Sequence, residues 1–123
     1  MSLEIIYQDS YCLLVTKPNN VLVHHAHHSR NKIDEVSLIQ IIENQFGKRY
    51  YPIHRLDRKT SGIILLASKR EYVASFQALF TTNEIQKIYF GVVRGFSQEY
   101  LIINSPVKGR DALVYKDAET QLK

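Results

Sequence analysis

One nonapeptide constrains this chain more than any other stretch. It is His54-Arg55-Leu56-Asp57-Arg58-Lys59-Thr60-Ser61-Gly62, and the apolar run Ile63-Ile64-Leu65-Leu66-Ala67 follows at once. A run of that length reads as a buried strand, so a cluster of charge crowds the loop that feeds it. A single carboxylate, Asp57, sits among Arg55, Arg58 and Lys59. Loops held by a rigid scaffold are a favoured place for reactive groups. Flanking cations favour the ionised carboxylate, ready to attack or to accept a proton, and they suit a polyanionic ligand. Thr60-Ser61-Gly62 supplies hydroxyls and one residue free to take positive φ, as a tight turn into a strand needs. Taken residue by residue, the string also fits a plain surface turn with an Asp–Arg ion pair and no chemistry.

The distribution of charge bears on that choice. The chain carries a net charge of +4, and between Lys48 and Arg70 it holds seven basic residues and one acid, Asp57. Such a local excess makes an electrostatic footprint for phosphates; the plain alternative is a solvated basic face. The 123 residues allow one domain with its own core, and 45% apolar with 23% charged residues is ordinary for a globular chain. No apolar run approaches membrane-spanning length, and the start has no signal-peptide pattern. Cys12 is the sole cysteine, which excludes an internal disulfide and fits a cytoplasmic protein. It lies in an apolar run and reads as core rather than as a nucleophile.

Residue patterning predicts an α+β chain. Leu3–Tyr7 and Tyr11–Thr16 read as strands joined in a hairpin through Gln8-Asp9-Ser10. Pro18 breaks the pattern and Val21–Val23 makes a short apolar return. His24, His25, His27 and His28 invite a metal reading, but no cysteine or close carboxylate joins them. A polar loop with adventitious metal affinity is the expectation. Asp34 or Ser37 can cap a helix running to Phe46, with Val36, Ile39, Ile42 and Phe46 on one face, Leu38 and Ile41 widening it, and Gly47 as its stop. Arg49–Ile53 and Ile63–Ala67 are the next strands. Ser68-Lys69-Arg70-Glu71 has the form of a capping box, opening a helix with the stripe Tyr72, Val73, Phe76, Leu79 and Phe80. Ile85–Gly95, Glu99–Ile103 and Ala112–Tyr115 read as further strands, and 117–123 as the start of another segment. No repeat, low-complexity tract or internal domain boundary is visible.

The whole string H-R-L-D-x-x-T-S-G, nine residues with seven fixed identities, resembles the catalytic motif of the pseudouridine synthases, in particular the RluA-type branch. Lys17-Pro18-Asn19-Asn20-Val21-Leu22-Val23-His24 is similar to the family's K-P-x-G-x-x-V-H, with Asn20 in place of glycine. Asparagine is the best non-glycine tolerant of the left-handed region, so the turn can survive. Lys87 to Gly95 is similar to K-x-Y-x-x-x-V-x-G, with Tyr89 at the tyrosine position, and Val107-Lys108-Gly109-Arg110 resembles the family's linker before its next strands. The resemblance runs from about Leu3 to the end. Within the family, the start and the run Gln86–Gly95 point to members that act on tRNA.

The resemblance implies a mixed, mainly antiparallel sheet with two flanking helices. It also implies a reaction on RNA that needs no cofactor and no metal. The N1–C1′ bond of a uridine breaks, the uracil turns within the site, and C5 bonds to C1′. Asp57 matches the essential aspartate, as nucleophile at the ribose or as base at C2′. The target base must leave its stack to be reached. Arg55 matches a residue that inserts into the RNA to hold the base out, and Tyr89 one that packs on the flipped uracil. His54 and Thr60 shape the substrate loop, and Arg58 and Lys59 add contacts to RNA. Family domains run on past the segment matching 117–123, to a later arginine that pairs with the aspartate. Residues 1–123 are therefore expected to be the N-terminal portion of one catalytic domain, without an accessory RNA-binding domain. Its sheet edges would favour self-association and its turnover alone would be poor. An RNA-binding fragment without catalysis is the rival reading. A carboxylate glycoside hydrolase would need a second acid across a cleft, and none stands near a comparable motif.

Overall fold

Asp9 starts the sheet. Its Oδ1 accepts the backbone N–H groups of Tyr11 at 2.7 Å and Cys12 at 2.8 Å, a side-chain turn that reverses the chain. The reversal lays β1 (Ile5–Gln8) antiparallel on β2 (Cys12–Lys17). The structure, a computed structural model, describes residues 1–25, 35–108, 117 and 119–122. Two compact units divide the chain, Met1–Lys87 and Ile88–Lys123, and each is taken by itself.

In the first unit the helix α1 (Leu38–Phe46) and the short strand β3 (Tyr51–Pro52) precede the central strand β4 (Gly62–Ala67). The sheet order is β1-β2-β4-β3, with every neighbour antiparallel. Register pairs Leu13 with Leu66, Val15 with Ile64 and Lys17 with Gly62. Strand side chains alternate between faces, so these pairs share one side of the sheet. Leu13, Val15, Ile64 and Leu66 are fully buried there and join Leu38, Ile41 and Ile42 of α1 in one core with Tyr50 and Leu56. Each such aliphatic side chain contributes about 1.5–3 kcal/mol by leaving water.

The first helix begins and ends by local chemistry. The Ser37 side chain accepts from the Gln40 N–H, and the Gln40 side chain accepts from the Ser37 N–H, a reciprocal capping box. Gly47 closes it at φ 67°, its N–H donating to the Glu43 carbonyl at 2.9 Å. Ser37 is therefore the cap, while Asp34 lies outside the described residues. The buried face is Leu38, Ile41 and Ile42 with Ile39 and Phe46 beside it; Val36 precedes the helix and is exposed.

The second helix does not begin with the expected capping box. The Ser68 hydroxyl donates to the Ser10 carbonyl at 2.6 Å instead, because β4 ends beside the first hairpin. A 3-10 turn over Arg70–Tyr72 then leads into α2 (Val73–Thr81). The stripe Tyr72, Val73, Phe76, Leu79 and Phe80 is only half-buried. Phe80 packs on the His54 ring at 5.1 Å, and the Gln77 amide donates to the Ile53 carbonyl at 3.4 Å.

The second unit contains β5 (Leu101–Ile103) paired antiparallel with β6 (Thr120–Leu122). The strand expected over Ile85–Gly95 is not formed. Its alternating pattern is real, but a strand is stable only when a neighbour takes its N–H and C=O groups. No described strand pairs with it, and Phe90 and Val92 stand fully exposed. Ala112–Tyr115, His27 and His28 lie outside the described residues. Among the described residues no helix is long and apolar enough to cross a membrane.

Gly62 enters β4 at φ 143°, and a Cβ added there would stand 3.4 Å from the Leu56 Cδ1. Gly62→Ala should therefore lower stability by about 1–3 kcal/mol, mainly through backbone strain. Urea unfolding of the two chains checks it, and equal midpoints would contradict it.

Candidate active site

Burial alternates along the loop and decides what it presents. Leu56 is in the core, whereas Arg55 and Asp57 on either side are exposed. The Thr60 N–H donates to the Asp57 carbonyl at 3.0 Å, so residues 57–60 close a turn just before β4. Anchored from below and tied across, the loop holds the Asp57 carboxylate outward. Among the described residues that carboxylate makes no hydrogen bond or ion pair, and the exposed Arg55 and Lys59 make none either. The ion pair that does form is a different one. Arg58 reaches away from Asp57, its Nη2 standing 2.8 Å from the Glu35 Oε1 while its Nε donates to the Asn20 Oδ1 at 3.0 Å.

Beneath the loop lies Lys17, whose side chain is fully buried. Its Nζ donates to the carbonyls of Val21 at 2.7 Å, Pro18 at 3.0 Å and Arg58 at 3.0 Å. An ammonium has three donors, so all are satisfied. Burial pushes the Lys17 pKa down from 10.5, and the Asp57 charge pulls it back up. One cation thus ties the 18–21 turn to the Asp57 loop. Asn20 takes φ 64° in that turn, the left-handed conformation expected of it. The position of Lys17 before Pro18 does not by itself predict its burial. The signal lies in the strand period: Lys17 stands two residues after Val15 and four after Leu13, on the face that the structure buries.

His54 works inward rather than on the loop's open side. Pro52 cannot donate to β4, and the strand it ends has only two residues. The His54 Nε2 accepts the Leu65 N–H at 3.1 Å, and the Ile53 N–H donates to the Leu65 carbonyl at 3.1 Å. The imidazole thus stands in for a missing ladder partner. Nε2 must be unprotonated to accept, which leaves the proton on Nδ1, a buried atom with no hydrogen-bond partner among the described residues. Burial pushes the His54 pKa below 6.5, the Lys87 charge adds to that, and the Arg55 backbone opposes it.

The basic stretch does not make one patch. Tyr51 pairs with Ala67 at one end of β4, while Gly62 stands at the other, about 17 Å away at the usual strand rise. Arg55, Arg58 and Lys59 gather at the Gly62 end; Lys48, Arg49, Lys69 and Arg70 flank the Ala67 end. There Arg49 pairs with Glu43 and Lys69 with Glu71, each at 3.8 Å. The expected seven-residue footprint is thus divided, and three of the seven share the loop of Asp57. Tyr89 belongs to the second unit, where it is exposed. Among the described residues no cluster could hold a metal ion.

Known proteins share this architecture and sequence. A family model described as RNA pseudouridylate synthase matches residues 11–123. The tRNA pseudouridine synthase C of Vibrio cholerae serotype O1 is 33% identical over 97% of this chain and 50% of its own length. That of Pasteurella multocida is 40% identical over 88% of this chain and 44% of its own. Among solved structures, Human RNA Pseudouridylate Synthase Domain Containing 1 superposes with a TM-score of 0.69 at 19% identity, covering 98% of this chain and 51% of that one. Human RNA Pseudouridylate Synthase Domain Containing 4 gives 0.63 at 18% identity, covering 96% and 52%. The chain spans about half the length of the curated relatives it matches.

Two outcomes are expected of these buried groups. Lys17→Met leaves three carbonyls without their donor, and at about 1–3 kcal/mol for each buried unsatisfied group it should destabilise the first unit by about 3 kcal/mol or more. A thermal midpoint within a degree or so of the parent's would contradict this. For His54, the unfolded chain titrates near 6.5 and the folded chain lower. Between the two values the unfolded state binds more protons. Its stabilising contribution is therefore complete above about pH 6.5 and is lost as pH falls towards the folded pKa. Urea midpoints between about pH 7.5 and about pH 5 should fall less steeply in His54→Gln than in the parent; identical slopes would exclude His54 as the cause.

Proposed function

Because the chain belongs to the RNA pseudouridylate synthase family, we propose that this protein isomerises a uridine in RNA to pseudouridine, with Asp57 as the essential residue. The observation that carries this reading is the stance of Asp57. Its carboxylate is exposed on an anchored turn between two exposed cations, while the third loop cation is engaged elsewhere. Asp57 attacks C1′ of the ribose and is released when C5 takes its place there, or it takes the C2′ proton and returns it to C2′ once C5 has bonded. In either route the N1–C1′ bond breaks, the uracil turns, C5 bonds to C1′, C5 loses its proton and N1 gains one. The reaction is an isomerisation, balanced without an oxidant or a cofactor. Similarity to proteins named tRNA pseudouridine synthase C supports tRNA as the substrate, and a cytoplasmic location accords with it.

Arg55 is then the residue that enters the RNA to keep the base extruded. Lys59 meets phosphate, and Tyr89 offers its ring to the flipped uracil. Thr60 and His54 act through the shape of the loop, Thr60 by its turn bond to Asp57 and His54 by its hold on β4. The edge strand β1 exposes Ile5, Ile6 and Tyr7, a surface of the kind that favours pairing with a second copy.

The test uses the longest form of the protein that its gene encodes. Asp57→Asn should abolish pseudouridine formation, read by base-modification mapping, and leave filter binding of tRNA largely in place. Activity retained within about tenfold of the parent would exclude Asp57 from the chemical step. A parent protein that binds tRNA with strong salt dependence and leaves its uridines unchanged would favour the binding-module reading.

A further inference from the structure

We infer that Arg58 is a positioning residue for Asp57, clamped by Asn20 and Glu35, and not a ligand for RNA phosphate. The inference rests on the reading of Asp57 given above, and it concerns what keeps that residue in place. Arg58 is held at both ends of its own residue. Its guanidinium donates to Asn20 Oδ1 at 3.0 Å and to Glu35 Oε1 at 2.8 Å, and its carbonyl receives the Lys17 ammonium at 3.0 Å. The carbonyl of the preceding residue, Asp57 itself, receives the Thr60 N–H at 3.0 Å. The peptide units on both sides of the Arg58 Cα are therefore fixed, and one of them carries Asp57. The free carboxylate hangs from a backbone that cannot turn without breaking several of these bonds.

The partners argue against a phosphate role. An arginine free to meet RNA has its planar fork open to solvent, as the exposure of Arg55 illustrates. The Arg58 side chain is only 33% exposed, and its fork already faces a carboxylate and an amide oxygen. Meeting a phosphate would mean releasing both. Asn20 is informative because its backbone and side chain do separate jobs. Its left-handed φ of 64° could be met by glycine alone; only the side chain reaches Arg58. Asn20→Gly therefore removes one arm of the clamp and keeps the turn. Asn20→Asp keeps an acceptor for the guanidinium.

The experiment measures steady-state turnover and the salt dependence of tRNA binding in the longest form of the protein. Loss of this one exposed hydrogen bond should lower kcat in Asn20→Gly by roughly three- to tenfold, with KM unchanged within about twofold. Asn20→Asp should restore kcat. Arg58→Ala should lower kcat further and leave the slope of log Kd against log salt as in the parent. The inference is overturned if Arg58→Ala keeps kcat, weakens binding and reduces that slope by about one, the signature of a lost phosphate contact. A parent that makes no pseudouridine would sink the proposed function alone. Amide exchange at Thr60, whose N–H is bonded to the Asp57 carbonyl, then decides the clamp without turnover. It should quicken in Asn20→Gly and recover in Asn20→Asp, and equal exchange in all three proteins would overturn the clamp.

Discussion

The ammonium of Lys17 is the interaction on which the site depends. It is buried at the end of β2, beside the point where β4 begins, and it serves carbonyls from two separate segments. A buried charge is costly unless its donors are all met. Here they are met by three backbone oxygens, of Pro18, Val21 and Arg58. The Asp57 charge nearby offsets part of the cost of burial. The consequence is positional: the turn after β2 and the loop before β4 cannot separate without stranding a cation in the core.

Around that cation the first unit assigns different work to neighbouring residues. Leu56 anchors, Asp57 projects, Arg58 is clamped and Lys59 projects again. His54, two residues before Leu56, closes the sheet where β3 runs out. A stretch that looks uniformly polar is thus half scaffold and half working surface. The separation of the basic residues has the same origin. Both groups adjoin β4, one at each end, and a six-residue strand holds them apart.

Much of this was legible in sequence because it depends on local chemistry. The hairpin turn at Asp9, a helix cap at Asp34 or Ser37, the Gly47 stop, the left-handed Asn20 and the positive φ of Gly62 each follow from a residue and its near neighbours, and the structure selects Ser37 with Gln40 as its partner. The family was also legible, since the nonapeptide carries the chemistry and its spacing together. Other expectations failed where a distant partner intervened. Ser68 has capping chemistry, but the Ser10 carbonyl lies within reach of its hydroxyl. Ile85–Gly95 has the pattern of a strand, and no described strand pairs with it.

The sequence by itself determined the apolar runs that become β2 and β4, the turn residues that aim the chain, and the identity of Asp57 as the one acid in a basic stretch. These are matters of side-chain period and backbone allowance, both set within a few residues. Only the tertiary structure decided which cations attend that acid. Arg58 lies next to Asp57 in sequence and turns to Asn20 and Glu35, while Lys17, forty residues away, lies beneath the loop and feels the Asp57 charge. Charge acts through space, and register with burial, not proximity along the chain, sets those distances.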